Sequence, residues 1–436
     1  MSHAIDLNSQ HNDPAFANIW QELQWRGLVH VSTDESALEK SLSEEKVTYY
    51  CGFDPTAASL HLGHLVQLLL MRRLQLAGHH PIGLVGGSTG LIGDPRQTSE
   101  RVLNSKETVA QWVDLLRGQV ERFLSFEGEN RAVMVNNLDW TSQLSAIDFL
   151  RDIGKHFRVS QMLAKEAVSA RLNSEAGISY TEFSYQILQA NDFRELHRRH
   201  AVTLQTGGSD QWGNLTAGID LVRRTEGAKV HALSTPLVTK SDGTKFGKSE
   251  GGAVWLDPSL TSPYAFFQFW LNADDADARM WLPLYSERPA EELEALIAES
   301  IERPAARTAQ RALAEELTAL VHGPDQLRQA EAAGRALFGR EDLASLDAAT
   351  LTAALEEAGA ITVQGELPTL AQLLQQTGLV ASLSEARRTV REGGAYLNNE
   401  RVSDADAVPP ADAWLAGGWL VLRRGRRAIA GVRRGA

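Results

Sequence analysis

The chain has one cysteine, Cys51, among 436 residues. A disulfide within the chain is therefore impossible, and zinc sites built on cysteines are excluded. No apolar run approaches the ~18 residues that a membrane span needs, so no membrane partner is expected. The opening stretch MSHAIDLNSQHNDPAF lacks the basic start and apolar centre of a secretory leader. Together these absences point to the cytoplasm. Basic charge is not in excess either: the net charge is −12. Internal repeats and low-complexity tracts are missing, which removes solenoid and disordered readings. What remains is an ordinary globular composition, with 43% hydrophobic and 22% charged residues. A chain of this length is expected to form two or three domains.

Charge is nevertheless uneven. From Glu385 to the end, ten Arg stand against six Asp or Glu, so the tail is +4 and the rest is −16. An acidic body with a basic tail suggests that the tail meets a polyanion; a solvated surface of compensating charges would look similar.

Hydrophobic patterning divides the chain. Residues 1–46 read as a short helical lead-in. VTYYCGF (47–53) is β-branched and aromatic and predicts a buried strand. A turn at Asp54-Pro55-Thr56 precedes LGHLVQLLLMRRLQLA (62–77), which predicts a largely buried helix. PIGLVGG (81–87), AVMVNN (132–137), VTLQTGG (202–208) and VHALSTPLV (230–238) predict further strands, separated by helical patterns. Asn104 and Glu107 have capping-box spacing before a helix to about Phe126. Strands alternating with helices imply an α/β fold with a doubly wound parallel sheet, which binds ligands at the carboxyl ends of its strands. Residues 287–358, rich in Ala, Leu, Glu and Arg, predict a helical domain. ITVQGELPTL (361–370) reads as a linker, and the remainder as a small α+β module. The expected division is 1–250, 251–358 and 359–436.

Two segments stand out chemically. In His61-Leu62-Gly63-His64 the histidines share one face of a helix start. They lack a third ligand and the HExxH glutamate, so no metal site is expected. A plain core role is open to them. Their place after a strand and turn, where helix amides favour anions, suits phosphate, and Gly63 leaves room for a planar ligand. The second segment, Lys245-Phe246-Gly247-Lys248-Ser249, narrowly misses a P-loop, because Asp242 stands where glycine is required. Two lysines in a Gly-rich polar stretch suit a phosphate clamp.

The histidine pair and a Lys-rich loop about 180 residues later match the HIGH and KMSKS signatures of class I aminoacyl-tRNA synthetases. The blocks YCGFDPTAASLHLGH, GGSTGLIGDP, NNLDW, TEFSYQILQANDF, LQTGGSDQWGN and LVTKSDGTKFGKS resemble, in order and spacing, bacterial tyrosyl-tRNA synthetases. The resemblance covers nearly the whole chain. It implies a Rossmann-like catalytic core, a helical domain and an S4-like RNA-binding domain. It also implies activation of L-tyrosine by ATP and transfer to tRNA(Tyr). ATP would come with Mg2+ as a substrate, with no prosthetic group, and the family is homodimeric.

The same resemblance assigns residues. Tyr50 and Asp192 correspond to the pair that bonds the substrate phenol. Asp94, Tyr185 and Gln189 correspond to the surroundings of its ammonium, and Gln211 to the vicinity of its carboxylate. Tyr185, Gln189 and Asp192 also share one helix face by spacing. Cys51, Gly52, Asp54, Gly63, Asp210 and Lys248 correspond to ATP-binding positions; for Cys51 a small buried hydrophobe is an equal reading. Thr56, His61 and His64 would contact the phosphates, and Lys245, Lys248 and Ser249 the leaving pyrophosphate. After Asp94 the loop departs from the pattern. Many members have one more residue and a lysine there; here Arg101 maps onto the family arginine, the lysine has no counterpart, and Arg96 is a possible substitute. Arg387, Arg388 and Arg391, in SLSEARRTVREGGAYLNNERV, would meet tRNA phosphates. A tryptophan-specific sister enzyme, an HxGH nucleotidyltransferase and a non-enzymatic RNA-binding relative are the alternatives.

Overall fold

A computed structural model of the chain describes residues 10–95, 103–173, 177–244, 246–249, 252–339, 341–425 and 428–435. The chain packs as two compact units: Met1–Leu256 with Asp275–Ala309, and Asp257–Asp274 with Gln310–Ala436.

The first unit is built on a six-stranded sheet. Its strands are β1 (Val31–Ser32), β2 (Thr48–Phe53), β3 (His80–Val85), β4 (Val133–Asn136), β5 (Leu204–Gly208) and β6 (His231–Thr235). Their order is β1-β6-β5-β2-β3-β4. All pairings are parallel except β1 on β6. The strand order therefore reverses between β2 and β5, the place where such sheets hold ligands. The antiparallel edge strand corrects the helical reading of residues 1–46: it lies between the helices Ile19–Trp25 and Glu35–Glu44. Two residues are too few to show alternation.

The helix Leu62–Leu76 buries apolar residues all round, including Leu65, Leu68, Leu69, Leu70, Met71 and Leu74. Even Arg72 is fully buried on it, with Glu287 at 3.3 Å from its Nε. The helix Lys106–Val120 starts one residue later than the expected capping box. Ser105, not Asn104, is its cap, and its Oγ accepts from the Thr108 amide at 3.1 Å. Serine and asparagine cap about equally well, so composition cannot choose between neighbours.

In the second unit, β9 (Ala360–Val363), β10 (Ala395–Leu397), β11 (Glu400–Arg401), β12 (Trp419–Arg424) and β13 (Ala428–Arg434) form a sheet in the order β11-β10-β12-β13-β9. The helices Leu370–Gln376 and Leu383–Arg391 pack there through Leu373, Leu374, Ala386 and Val390, against Leu420, Leu422 and Val432. The linker expectation for 361–370 needs correction. Residues 360–363 are a strand paired in parallel with β13. The helix Ala348–Ala358 is joined to the sheet as well, since Trp419 Nε1 donates to Thr352 Oγ1 at 2.8 Å. The stretch expected as one helical domain is thus shared between the units, with the helix Asp275–Tyr285 in the first and Pro324–Leu337 in the second.

Candidate active site

The end of β2 delivers Tyr50, Cys51 and Gly52 to the switch point, and Asp54 follows. Tyr50 is buried, with its ring edge-on to Phe193 at 5.4 Å. Its hydroxyl has no hydrogen-bond partner among the described residues. Burial, and then the charge of Asp192, push its pKa well up. Asp192, also buried, accepts from Asn137 Nδ2 at 2.9 Å and Trp140 Nε1 at 2.8 Å. Burial raises its carboxyl to about 7 against the pull of those two donors. A phenol and a carboxyl with spare bonding capacity thus lie together in an apolar wall. The Oε1 of Gln189, one turn before Asp192 on the helix Tyr180–His200, is likewise buried without a partner among the described residues. Orphaned buried polar groups are costly, so the Tyr50 hydroxyl and Gln189 Oε1 mark a site shaped for a polar guest.

Asp54 ties the next layer together. It accepts from Tyr185 Oη at 2.6 Å and Thr89 Oγ1 at 2.7 Å. Burial drives the Tyr185 pKa upward, and so do the charges of Asp54, Asp94 and Asp192. Three carboxylates around one hydroxyl make a region suited to a cation. Asp94 is capped by two amides: Gln211 Nε2 at 3.0 Å and Asn214 Nδ2 at 3.3 Å. Gln211 also donates to the exposed Asp210 at 3.1 Å. Two glycines after β3 let this network close. A Cβ on Gly86 would sit 2.1 Å from Asp54 Oδ1, and one on Gly87 2.2 Å from Asn136 Oδ1.

The histidine motif caps the helix Leu62–Leu76. His61 Nδ1 accepts from the Gly63 amide at 3.1 Å, and His64 Nδ1 from the His61 amide at 3.2 Å. With both Nδ1 atoms accepting, the proton of each neutral ring is on Nε2. Burial lowers the His61 pKa; burial, and secondarily His61, bring His64 to about 3. Two neutral imidazoles therefore offer N–H donors at a helix start that already favours anions. Glycine at 63 is required for a reason the sequence does not show: a Cβ there would meet the His61 ring at 2.9 Å. Thr56 is exposed nearby in sequence, its amide bonded to the Asp54 carbonyl at 2.8 Å. Cys51 is buried with Gln67 Oε1 at 3.8 Å from Sγ, and burial pushes its thiol up to about 12.

Lys248–Ser249 form β7, which pairs with β8 (Gly252–Ala253) in a hairpin. The strand leaving the hairpin lies on the histidine motif. Leu62 N donates to Val254 O at 3.1 Å, Leu256 N to Leu60 O at 2.9 Å, and His61 bridges Trp255. So the fold brings the two signature segments together. The helix Asp275–Tyr285 props the approach to the hairpin. Trp281 Nε1 donates to Thr239 O at 2.9 Å, Asp277 accepts from the Ser241 amide at 2.5 Å, and Phe246 meets the Trp281 ring at 4.5 Å. Lys245, Arg96 and Arg101 lie outside the described residues. Arg387, Arg388 and Arg391 are in the second unit and exposed; Arg387 pairs with Asp406 at 2.8 Å.

Sequence reasoning left Asn137, Trp140, Thr89, Asn214 and Lys165 unassigned. The first four lie in or beside motif blocks; Lys165 has no local signal. Among the described residues no group of three or more His, Cys, Asp or Glu could hold a metal ion, and no helix is long and apolar enough to cross a membrane.

Comparisons with known proteins bear on the family of the whole chain. Residues 42–339 match the family model of class I tRNA synthetases (W and Y), and residues 351–430 that of the tyrosine–tRNA ligase SYY-like C-terminal domain. The chain is 64% identical to the tyrosine–tRNA ligase of Streptomyces coelicolor, over 95% of this chain and 98% of the relative. It is 63% identical to that of Leifsonia xyli, over 98% and 96%. The structure of a C-terminally truncated mitochondrial tyrosyl-tRNA synthetase from Coccidioides posadasii superposes with a TM-score of 0.63 at 30% identity, covering 73% of this chain and 92% of that one. The chain belongs to the tyrosine–tRNA ligase family of class I tRNA synthetases.

Proposed function

We propose that the chain activates L-tyrosine with ATP and transfers the tyrosyl group to the 3′ end of tRNA(Tyr), releasing AMP and pyrophosphate. The observation that carries this reading is the orphaned Tyr50 hydroxyl beside Asp192, at the base of a buried apolar wall. A substrate phenol would satisfy both. Phenylalanine would leave the Tyr50 hydroxyl unpaired, and a site built to bond a hydroxyl rejects the analogue that lacks it. Gln189, Tyr185 and Asp94 would surround the ammonium, and Gln211 would lie beside the carboxylate.

The first step joins the tyrosine carboxylate to the α-phosphorus of ATP and expels pyrophosphate. The nucleophile is already an anion, so no general base is needed. Positioning and stabilisation of growing phosphate charge suffice. The Nε2–H groups of His61 and His64, the Thr56 hydroxyl, and Lys245, Lys248 and Ser249 would supply them. Arg101 would join from the loop after Asp94. Cys51, Gly52, Asp54, Gly63 and Asp210 would flank the nucleotide. Mg2+ would enter with ATP through phosphate oxygens.

The tRNA would meet Arg387, Arg388 and Arg391. A homodimer in the cytoplasm belongs to the same proposal. Exposed Ile147, Leu150, Val159, Leu163, Leu172 and Tyr180 in one stretch support a covered face. Pyrophosphate exchange with ATP, run with each of the twenty amino acids, tests the reading. Strong exchange is expected with tyrosine alone; strong exchange with tryptophan would overturn it.

A further inference from the structure

Lys165 is a described residue of the site that neither the motifs nor the mechanism above employs. It lies just before the helix Glu166–Leu172, and its chain crosses the start of the helix Trp212–Glu226. A Cβ on Gly213 would meet its Cε at 3.1 Å and its Nζ at 3.6 Å, so the glycine leaves the channel in which the lysine lies. A cation at a helix N-terminus opposes the helix dipole. Burial opposes it too and lowers the ammonium to about 8, while the charge of Asp94 acts the other way. Such an arrangement is unfavourable by itself and calls for a compensating role.

The hydrogen bonds supply one. Lys165 Nζ donates to Asn214 Oδ1. An ammonium has donors only, so it fixes which end of the Asn214 amide faces it. The Nδ2 end must then point away, and it donates to Asp94 Oδ1 at 3.3 Å and to Gln211 Oε1 at 2.9 Å. That second bond fixes Gln211 in turn, so its Nε2 faces Asp94 Oδ2 at 3.0 Å. One donor-only group thus sets the polarity of two amides, and both oxygens of Asp94 receive a donor.

We infer that Lys165 is a positioning residue for amino-acid binding: through Asn214 and Gln211 it holds the Asp94 carboxylate in the orientation that receives the substrate ammonium. This rests on the proposal that Asp94 faces that ammonium. Replacing the lysine by an uncharged chain of similar length lets both amides flip. Asp94 then loses fixed donors although no residue proposed to touch the substrate has been substituted.

The test is pyrophosphate exchange with tyrosine and ATP varied separately, on the full-length protein. K165M is expected to raise the KM for tyrosine about tenfold, the scale of one hydrogen bond to a charged group, with little change in kcat or in the KM for ATP. K165R, which also carries donors only, should recover most of that loss. N214D keeps the acceptor for Lys165 but puts a carboxylate against Asp94, so it should weaken tyrosine binding at least as much as K165M. This variant decides the matter if K165M fails to fold. An unchanged tyrosine KM in K165M or N214D overturns the inference. Equal losses in K165M and K165R overturn it too, as does a defect confined to tRNA charging. Failure of the underlying reading is distinguishable, because the unaltered protein would then show no tyrosine-dependent exchange.

Discussion

Asp192 is buried beneath two donors, and the consequence is measurable in the free protein. Its carboxyl is raised from the ordinary 3.8 to about 7, chiefly by burial. The folded chain therefore holds that proton more tightly than the unfolded chain does. The stability linked to this group is complete below 3.8 and is lost as pH rises through about 7. D192N does not titrate. Thermal melts should show the melting temperature of the unaltered protein falling relative to D192N across that window, then levelling off; a constant difference would mean that Asp192 titrates as an ordinary carboxyl. Tyr50 yields a second expectation. Its hydroxyl is buried and has no partner among the described residues, so Y50F should leave the free protein as stable or slightly more stable. Tyrosine binding should weaken by about 0.5–1.5 kcal/mol, and discrimination against phenylalanine should relax. Calorimetric titration with both amino acids reads this out, and unchanged discrimination would remove Tyr50 from the pocket.

At the scale of elements, the helix Asp275–Tyr285 matters to the chemistry although none of its residues is proposed to touch a substrate. Trp281 and Asp277 hold the chain at Thr239 and Ser241, Phe246 packs on Trp281, and the Tyr285 hydroxyl donates to Leu62 O at 3.1 Å. The helix thus braces both the approach to the Lys248 hairpin and the start of the histidine-bearing helix. W281F keeps an aromatic ring near Phe246 and removes the donor to Thr239. A loss of about 1 kcal/mol in stability is expected from one hydrogen bond. The rate of adenylate formation should fall by a larger factor than tyrosine affinity does, because the hairpin is assigned to phosphates. Stopped-flow measurement of adenylate formation separates the two. Tyrosine affinity lost at unchanged rate would place the brace elsewhere.

For the molecule as a whole, the second unit decides where the chain can be cut. A deletion after residue 360 looks natural on sequence texture, but it would remove β12 and β13 and strip the helix Ala348–Ala358 of its cover. Leu351 and Leu355 are fully buried, and a Cβ on Gly431 would lie 2.9 Å from Leu355 and from the Trp419 ring. A protein ending at Ala360 should therefore bind a hydrophobic dye more strongly, and aggregate sooner, than one ending at Leu346. Both should retain tyrosine-dependent pyrophosphate exchange, since every residue assigned to tyrosine or ATP lies between Tyr50 and Ser249. Both should lose tRNA charging. Normal charging by either would show that the basic tail does not engage tRNA. The tail also has fewer arginines to spare than its composition suggests: Arg423 stacks on Tyr396 at 4.6 Å, Arg424 pairs with Glu385, and Arg433 lies over Trp419.

Local sequence was enough for the strands that carry the site and for the two signature segments. A run such as VTYYCGF is buried on both faces and can be little else, and HLGH followed by a leucine-rich stretch can only start a buried helix. The histidines stood out by their spacing, whereas Tyr50 and Asp192 were singled out only by the family resemblance that the motif blocks carry. Tertiary structure alone decided what those groups touch. Asn137 and Asp192 are 55 positions apart, Lys165 and Asn214 49, and Thr239 and Trp281 42. A hydrogen bond between side chains that distant leaves no periodicity behind, because each partner obeys only its own strand or helix. The division into units escaped for the same reason. Ala-rich helices such as Ala290–Glu302 and Pro324–Leu337 went to different units according to what their buried faces could cover, and that depends on surfaces assembled from the rest of the chain.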